Sequence, residues 1–144
     1  MNHGLRPRPG GNKAKNDKSS ILVDAKMLLR IYNPIFQKMP KIERIDGLGA
    51  DMRRDIRGII YCFTVAYECD EVRQEYIRRM IGHYGAIMAT FDLLRDMGVV
   101  PDVELFLIAE RLERIEEGIL KWHNSIRQER GQGTAGEPGD SVSD

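Results

Sequence analysis

Residues 101–126 read PDVELFLIAERLERIEEGILKWHNSI, and their spacing decides the fold. Leu105, Ile108, Leu112, Ile115, Ile119, Trp122 and Ile126 recur at alternating steps of three and four, the a/d stripe of an amphipathic helix. Pro101 and Asp102 stand at its start, where a fixed φ and a negative charge both favour a helix N-terminus.

Working upstream, Val72, Tyr76, Met80, Tyr84, Ile87, Phe91 and Leu94 make one stripe on a helix expected from about Glu71 to Met97, with Gly98 as its C-cap. Only Gly98, Val99 and Val100 separate it from the last helix, which calls for an antiparallel hairpin. Before it, Met52, Ile56, Ile59, Ile60, Phe63 and Tyr67 predict a helix over 50–68, with Asp70 as N-cap of the one that follows. The first helix is expected from Ile21 to Met39, capped by Ser19 or Ser20, with Ile21, Ala25, Leu28, Tyr32, Ile35 and Met39 as its seam. Pro34 removes one donor and predicts a kink near Arg30. Residues 40–49 read as the longest connecting loop. No strand-like alternation occurs, so the expected fold is all-α: an up-down-up-down antiparallel four-helix bundle over 19–130. Leu22, Leu29 and Phe36 form a second row on the first helix, and Cys62, Val65 and Ile77 lie off the main seams. That surplus reads either as a broad core face or as a surface for oligomerisation, the second being expected because monomers seldom leave such rows exposed.

The chain has 144 residues and no net charge, but the balance is uneven. Residues 1–18 sum to +4, residues 19–130 to −1 and residues 131–144 to −3. Both ends are rich in Gly, Pro, Ser and Asn, so we expect a disordered basic arm over 1–18 and a disordered acidic tail over 131–144. The arm is a solvated tail or a phosphate contact. A polycation coating nucleic acid by charge alone is excluded. No apolar run reaches the length of a membrane span, and no membrane role is expected. Cys62 and Cys69, about 10.5 Å apart on one helix, are too far for a bond and read as small core side chains in a reducing, cytoplasmic setting.

Catalytic and metal-binding patterns are missing. His83 and His123 are preceded three residues earlier by Met80 and Leu120, so the Glu-x-x-His pattern of di-iron bundles is absent. Gly47-Leu48-Gly49 follows no strand and is no phosphate loop. No Ser, His and Asp set stands out, and His83 reads as a packed or surface imidazole. The expectation is a binding protein that is not an enzyme and takes no cofactor. The bases comprise 15 Arg and 7 Lys, a skew suited to bidentate contacts with phosphate or carboxylate. Arg53, Arg54 and Arg57 begin one helix, and Arg73, Arg78 and Arg79 begin the next, so the clusters occupy opposite ends. Asp51, Asp55 and Glu75 stand beside them, so ion pairs on the surface or between subunits explain them as well as phosphates do.

Met39-Pro40-Lys41-Ile42-Glu43-Arg44, followed by Leu48-Gly49, resembles the Leu-Pro-Lys-x-Glu-Arg…Leu-Gly signature of a four-helix-bundle family. That family includes the accessory variability determinant proteins of diversity-generating retroelements and proteins encoded in intervening sequences of bacterial 23S ribosomal RNA genes. Leu93-Leu94-Arg95-Asp96-Met97-Gly98 is similar to its hairpin, and 115–122 match its closing Ile-Gly-x-x-Leu-x-x-Trp in part, with Gly118 displaced. The similarity spans roughly 21–127. It implies a homopentameric barrel of bundles that binds a reverse transcriptase, its template RNA and by extension the cDNA, without catalysis of its own. The positions it points to are Lys41, Arg44, Arg53, Arg54, Arg57, Arg73, Arg78 and Arg79. The alternative is an intervening-sequence-type bundle whose role is structural or protein-interacting.

Overall fold

The computed structural model describes residues 12–133, with side chains from Ser20 to Gln128. They form four long helices and one short one: α1 (Asn12–Gln37), α2 (Lys41–Asp46), α3 (Leu48–Glu68), α4 (Arg73–Asp96) and α5 (Asp102–Gly133), with a 3₁₀ turn over Asp70–Val72. Among the described residues there is no strand. The expected arm and tail lie in part outside the described residues, at 1–11 and 134–144; residues 12–18 and 131–133 are helical.

The seams read from the sequence converge on one core. Ile21, Leu28, Tyr32, Met52, Ile56, Ile59, Met80, Ile87, Leu94, Ile108, Leu112, Ile115 and Trp122 are buried together. At about 1.5–3 kcal/mol per fully buried large apolar side chain, this core is the main force holding the helices. Trp122 on α5 packs against Phe63 on α3, their ring centroids 5.1 Å apart. Gly118 lets α5 approach α1, because a Cβ there would stand 2.7 Å from Cγ1 of Ile21. Phe36, Cys62 and Ile77, read as surplus apolar positions, are buried in this same core, while Leu22, Leu29 and Val65 are half-buried.

Contacts between helices set their pairing. Asp24 on α1 meets Arg111 on α5, and Lys38 on α1 meets Glu104. On α3 and α4, Asp55 meets His83 and Tyr61 meets Tyr76. In both pairs the contacts run in opposite order along the two helices. Lys38–Glu104 and the short turn from α4 to α5 bring the C-ends of α1 and α4, all of α2, and the N-ends of α3 and α5 to one end of the molecule.

Several local expectations are corrected. The segment read as a loop over 40–49 contains α2, with Pro40 (φ −56°, ψ 151°) as its N-cap residue. Neither Ser19 nor Ser20 caps α1, which starts at Asn12; the Ser20 hydroxyl donates to Asp24 Oδ2 at 3.3 Å from within the helix. Asp70 is not the N-cap of α4, since Val72 takes that place without a side-chain cap and Asp70 instead pairs with Arg73. Pro34 lies in the last turn of α1, where its missing donor removes one hydrogen bond. The C-terminus of α4 is as expected: Gly98 has φ +67°, its N–H donates to Arg95 O at 3.2 Å, and Val99 N–H donates to Leu94 O at 3.1 Å. These are the two bonds of a Schellman cap.

Candidate nucleic-acid interface

The eight basic residues singled out in the sequence divide into two groups. Five are engaged within the chain. Arg44 on α2 donates from Nε to Met39 O at 3.1 Å, satisfying a carbonyl just past the end of α1. Beside it, Glu43 Oε1 accepts from the N–H groups of Leu48 (2.8 Å) and Gly49 (3.3 Å), orphan donors of the first turn of α3. The tight turn needs glycine at both flanking positions: a Cβ at Gly47 would stand 2.6 Å from Glu43 Oε1, and one at Gly49 2.5 Å from Met39 Sδ. Tyr32 closes the corner by donating its hydroxyl to Gly49 O at 2.8 Å. Burial and then Glu43 push the Tyr32 hydroxyl well above its ordinary pKa, so it remains a donor. The Pro-Lys-x-Glu-Arg…Leu-Gly stretch is thus a lock joining α1, α2 and α3.

Arg53 lies 5.1 Å over the Phe36 ring and donates to Asn33 Oδ1 at 3.4 Å, tying α3 to α1. Arg54 pairs with Asp51 at 3.2 Å and reaches Asp55 at 3.7 Å. Arg73 donates to Ala66 O at 2.8 Å and Tyr67 O at 3.3 Å, carbonyls left open at the end of α3, and also pairs with Asp70. Arg79 pairs with Glu75 at 2.6 Å and stacks over Tyr76 at 4.7 Å. The remaining three, Lys41, Arg57 and Arg78, are exposed and form no ion pair or side-chain hydrogen bond among the described residues. The eight therefore do not converge on one patch.

Sequence reading missed a polar contact in the α3–α4 seam. Asp55 is only 5% exposed, and its Oδ1 lies 2.9 Å from Nδ1 of half-buried His83. Gly58 makes room, for a Cβ there would meet the imidazole at 2.6 Å. The available signal was Asp55 itself, a carboxylate one step from Ile56 on an apolar stripe, which burial obliges to find a partner. Asp24 with Arg111 is the equivalent between α1 and α5, at 3.0 Å. On the far side of α4, Tyr84 donates to Glu116 on α5 at 3.2 Å, and burial followed by Glu116 pushes its hydroxyl up to about 12.

Among the described residues, no group of three or more His, Cys, Asp or Glu could hold a metal ion. Burial pushes the Cys62 thiol up, leaving it in its unreactive protonated form. No described helix is long and apolar enough to cross a membrane. Comparison with family models, with curated proteins and with solved structures finds no match to this chain.

Proposed function

We infer that the chain is a non-enzymatic accessory subunit of the diversity-generating-retroelement type, which joins other copies of itself and binds a reverse transcriptase and template RNA in the cytoplasm. The observation that carries this reading is the signature stretch 39–49. Two of its four charged residues, Glu43 and Arg44, hold helix ends together, a structural use consistent with a shared motif. The opposed order of the α1–α5 and α3–α4 contacts supports an up-down-up-down arrangement. Exposed Tyr61, Ile81 and Leu120 on the flanks, with a groove of about 130 Å³ between α4 and α5, supply apolar surface for a ring of five. Of the eight basic positions, Lys41, Arg57 and Arg78 are those left for RNA, and a ring would repeat each of them five times.

Co-expression with a reverse transcriptase from the same genome tests the reading. The expected outcome is a complex that retains structured RNA and loses it steeply with salt, on a subunit whose solution mass is five times 16.5 kDa. A monomer that retains neither polymerase nor RNA at low ionic strength contradicts it. The engagement of Arg44, Arg53, Arg54, Arg73 and Arg79 within the chain favours a second reading, the intervening-sequence-type bundle with a structural or protein-interacting role. Charge reversal at Lys41, Arg57 and Arg78 with no change in RNA retention would select that reading.

A further inference from the structure

The α3–α4 seam holds a buried carboxylate that fixes a surface imidazole. Asp55 Oδ1 lies 2.9 Å from Nδ1 of His83, and the acid is nearly fully buried while the imidazole side chain is 33% exposed. An ionised carboxylate only accepts, so the contact places the imidazole proton on Nδ1 and leaves the Nε2 lone pair free. A free histidine favours the opposite tautomer, with its proton on Nε2. In the protein Nε2 has no hydrogen-bond partner among the described residues, and it is not one of the buried orphan atoms, so it meets solvent.

Glycines cut the notch in which the ring lies. Beneath it on α3, a Cβ at Gly58 would stand 2.6 Å from both Nε2 and Cε1. Gly82 and Gly85, on the turn of α4 that carries His83, add no side chain, and a Cβ at either would meet nothing within 4 Å. Any donor would satisfy a buried acid. An imidazole held in one tautomer, with its second nitrogen turned to water, is the arrangement of a histidine nucleophile. Arg54 reaches the other oxygen of Asp55 at 3.7 Å, and Arg79 lies one helical turn before His83. Both are exposed, and their surface pairs with Asp51 and Glu75 cost little to exchange for another oxyanion. The charge around the ring is close to balanced, so the assignment rests on the geometry of the nucleophile and not on an excess of cations.

We propose that His83 is a phosphoryl-acceptor site, modified on Nε2 by a small donor with a good leaving group, an acyl phosphate or a phosphoramidate, with Asp55 as the positioning residue. The Nε2 lone pair forms the N–P bond as the donor's own bond to phosphorus breaks, and that electron pair departs on a carboxylate oxygen or on ammonia. The Nδ1 proton stays in place, and Asp55 offsets the positive ring so formed. The inference is independent of the accessory-subunit reading. In the test the full chain is incubated with phosphoramidate and, separately, with acetyl phosphate, and the product is followed by mass spectrometry and phosphorus NMR. The expected product is an acid-labile, alkali-stable phosphoryl group on Nε2 of His83. It should form about tenfold or more faster than on an unfolded peptide of the same local sequence. His3 and His123 serve as references within the chain. His83→Gln should lose the fast product. Asp55→Ala should slow the reaction about tenfold or more and move product onto Nδ1, because the ring returns to its other tautomer. A purely structural acid would lower the melting temperature without changing which nitrogen reacts. Failure with both donors, a His83 rate no faster than the peptide, or a wild-type product on Nδ1 overturns the proposal. So does an unchanged rate and isomer in Asp55→Ala. Should that variant fail to fold, the wild-type isomer and its rate against the peptide still decide the matter.

Discussion

A methyl group added at Gly118 would stand 2.7 Å from Cγ1 of Ile21, a side chain with no exposed surface into which it could retreat. Gly118→Ala is therefore expected to destabilise by about 1–3 kcal/mol through overpacking, despite roughly 1 kcal/mol gained in helix propensity. Gly82 and Gly85 give the contrast: nothing lies within 4 Å of a Cβ at either, so alanine there should stabilise by about 0.5–1 kcal/mol. Urea unfolding of the three variants checks both signs. At the α3–α4 seam, His83→Ala leaves the buried Asp55 carboxylate with only Arg54 at 3.7 Å and should cost about 1–3 kcal/mol. Adding Asp55→Ala to it should cost less than the sum of the two single changes, and a double-mutant cycle measures that coupling. Tyr84 ties stability to alkaline pH. Below its ordinary value of 10 the hydroxyl is protonated both folded and unfolded, so its contribution is complete. As pH rises from 10 towards about 12 the unfolded chain releases the proton first, and the contribution is lost. Tyr84→Phe should flatten that part of the stability-against-pH curve.

At the scale of the element, stretch 39–49 is the instructive case. Glu43→Ala removes the acceptor for two N–H groups at the start of α3 and is expected to lower stability by about 1–2 kcal/mol, read as a drop in melting temperature. The long helices were legible because each repeats its apolar seam over four or more turns, and α5 follows its heptad from Leu105 to Ile126 without a break. Helix α2 was not, because six residues without a buried side chain leave no period to read. The α1 start was misplaced for a related reason: the seam begins at Ile21, but nothing between Asn12 and Ser20 interrupts a helix. Asp70 had the chemistry of an N-cap, yet the chain makes a 3₁₀ turn there and Arg73 draws the carboxylate to itself. Polar cross-links such as Asp55–His83 and Tyr84–Glu116 join residues 28 and 32 apart, a separation at which sequence carries no register.

For the molecule as a whole, the arginine skew proved a composite signal. Arg44 and Arg73 cap helices, Arg53 clamps α3 to α1, and Arg54 and Arg79 serve local carboxylates, so most of a pattern suggestive of phosphate is spent on the fold. Sequence gave the residue types but not the neighbours that neutralise them, which come from other turns and other helices. Under the proposed accessory role, Lys41, Arg57 and Arg78 are the RNA contacts among the eight positions. The measurement that tests it most directly is the salt dependence of structured-RNA binding by the wild-type chain and by Lys41→Glu/Arg57→Glu/Arg78→Glu. A wild-type log–log slope that falls by roughly 2–3 in the triple variant, with folding intact, is the predicted result. An unchanged slope, or one lowered instead by replacing Arg54 and Arg79, would contradict it.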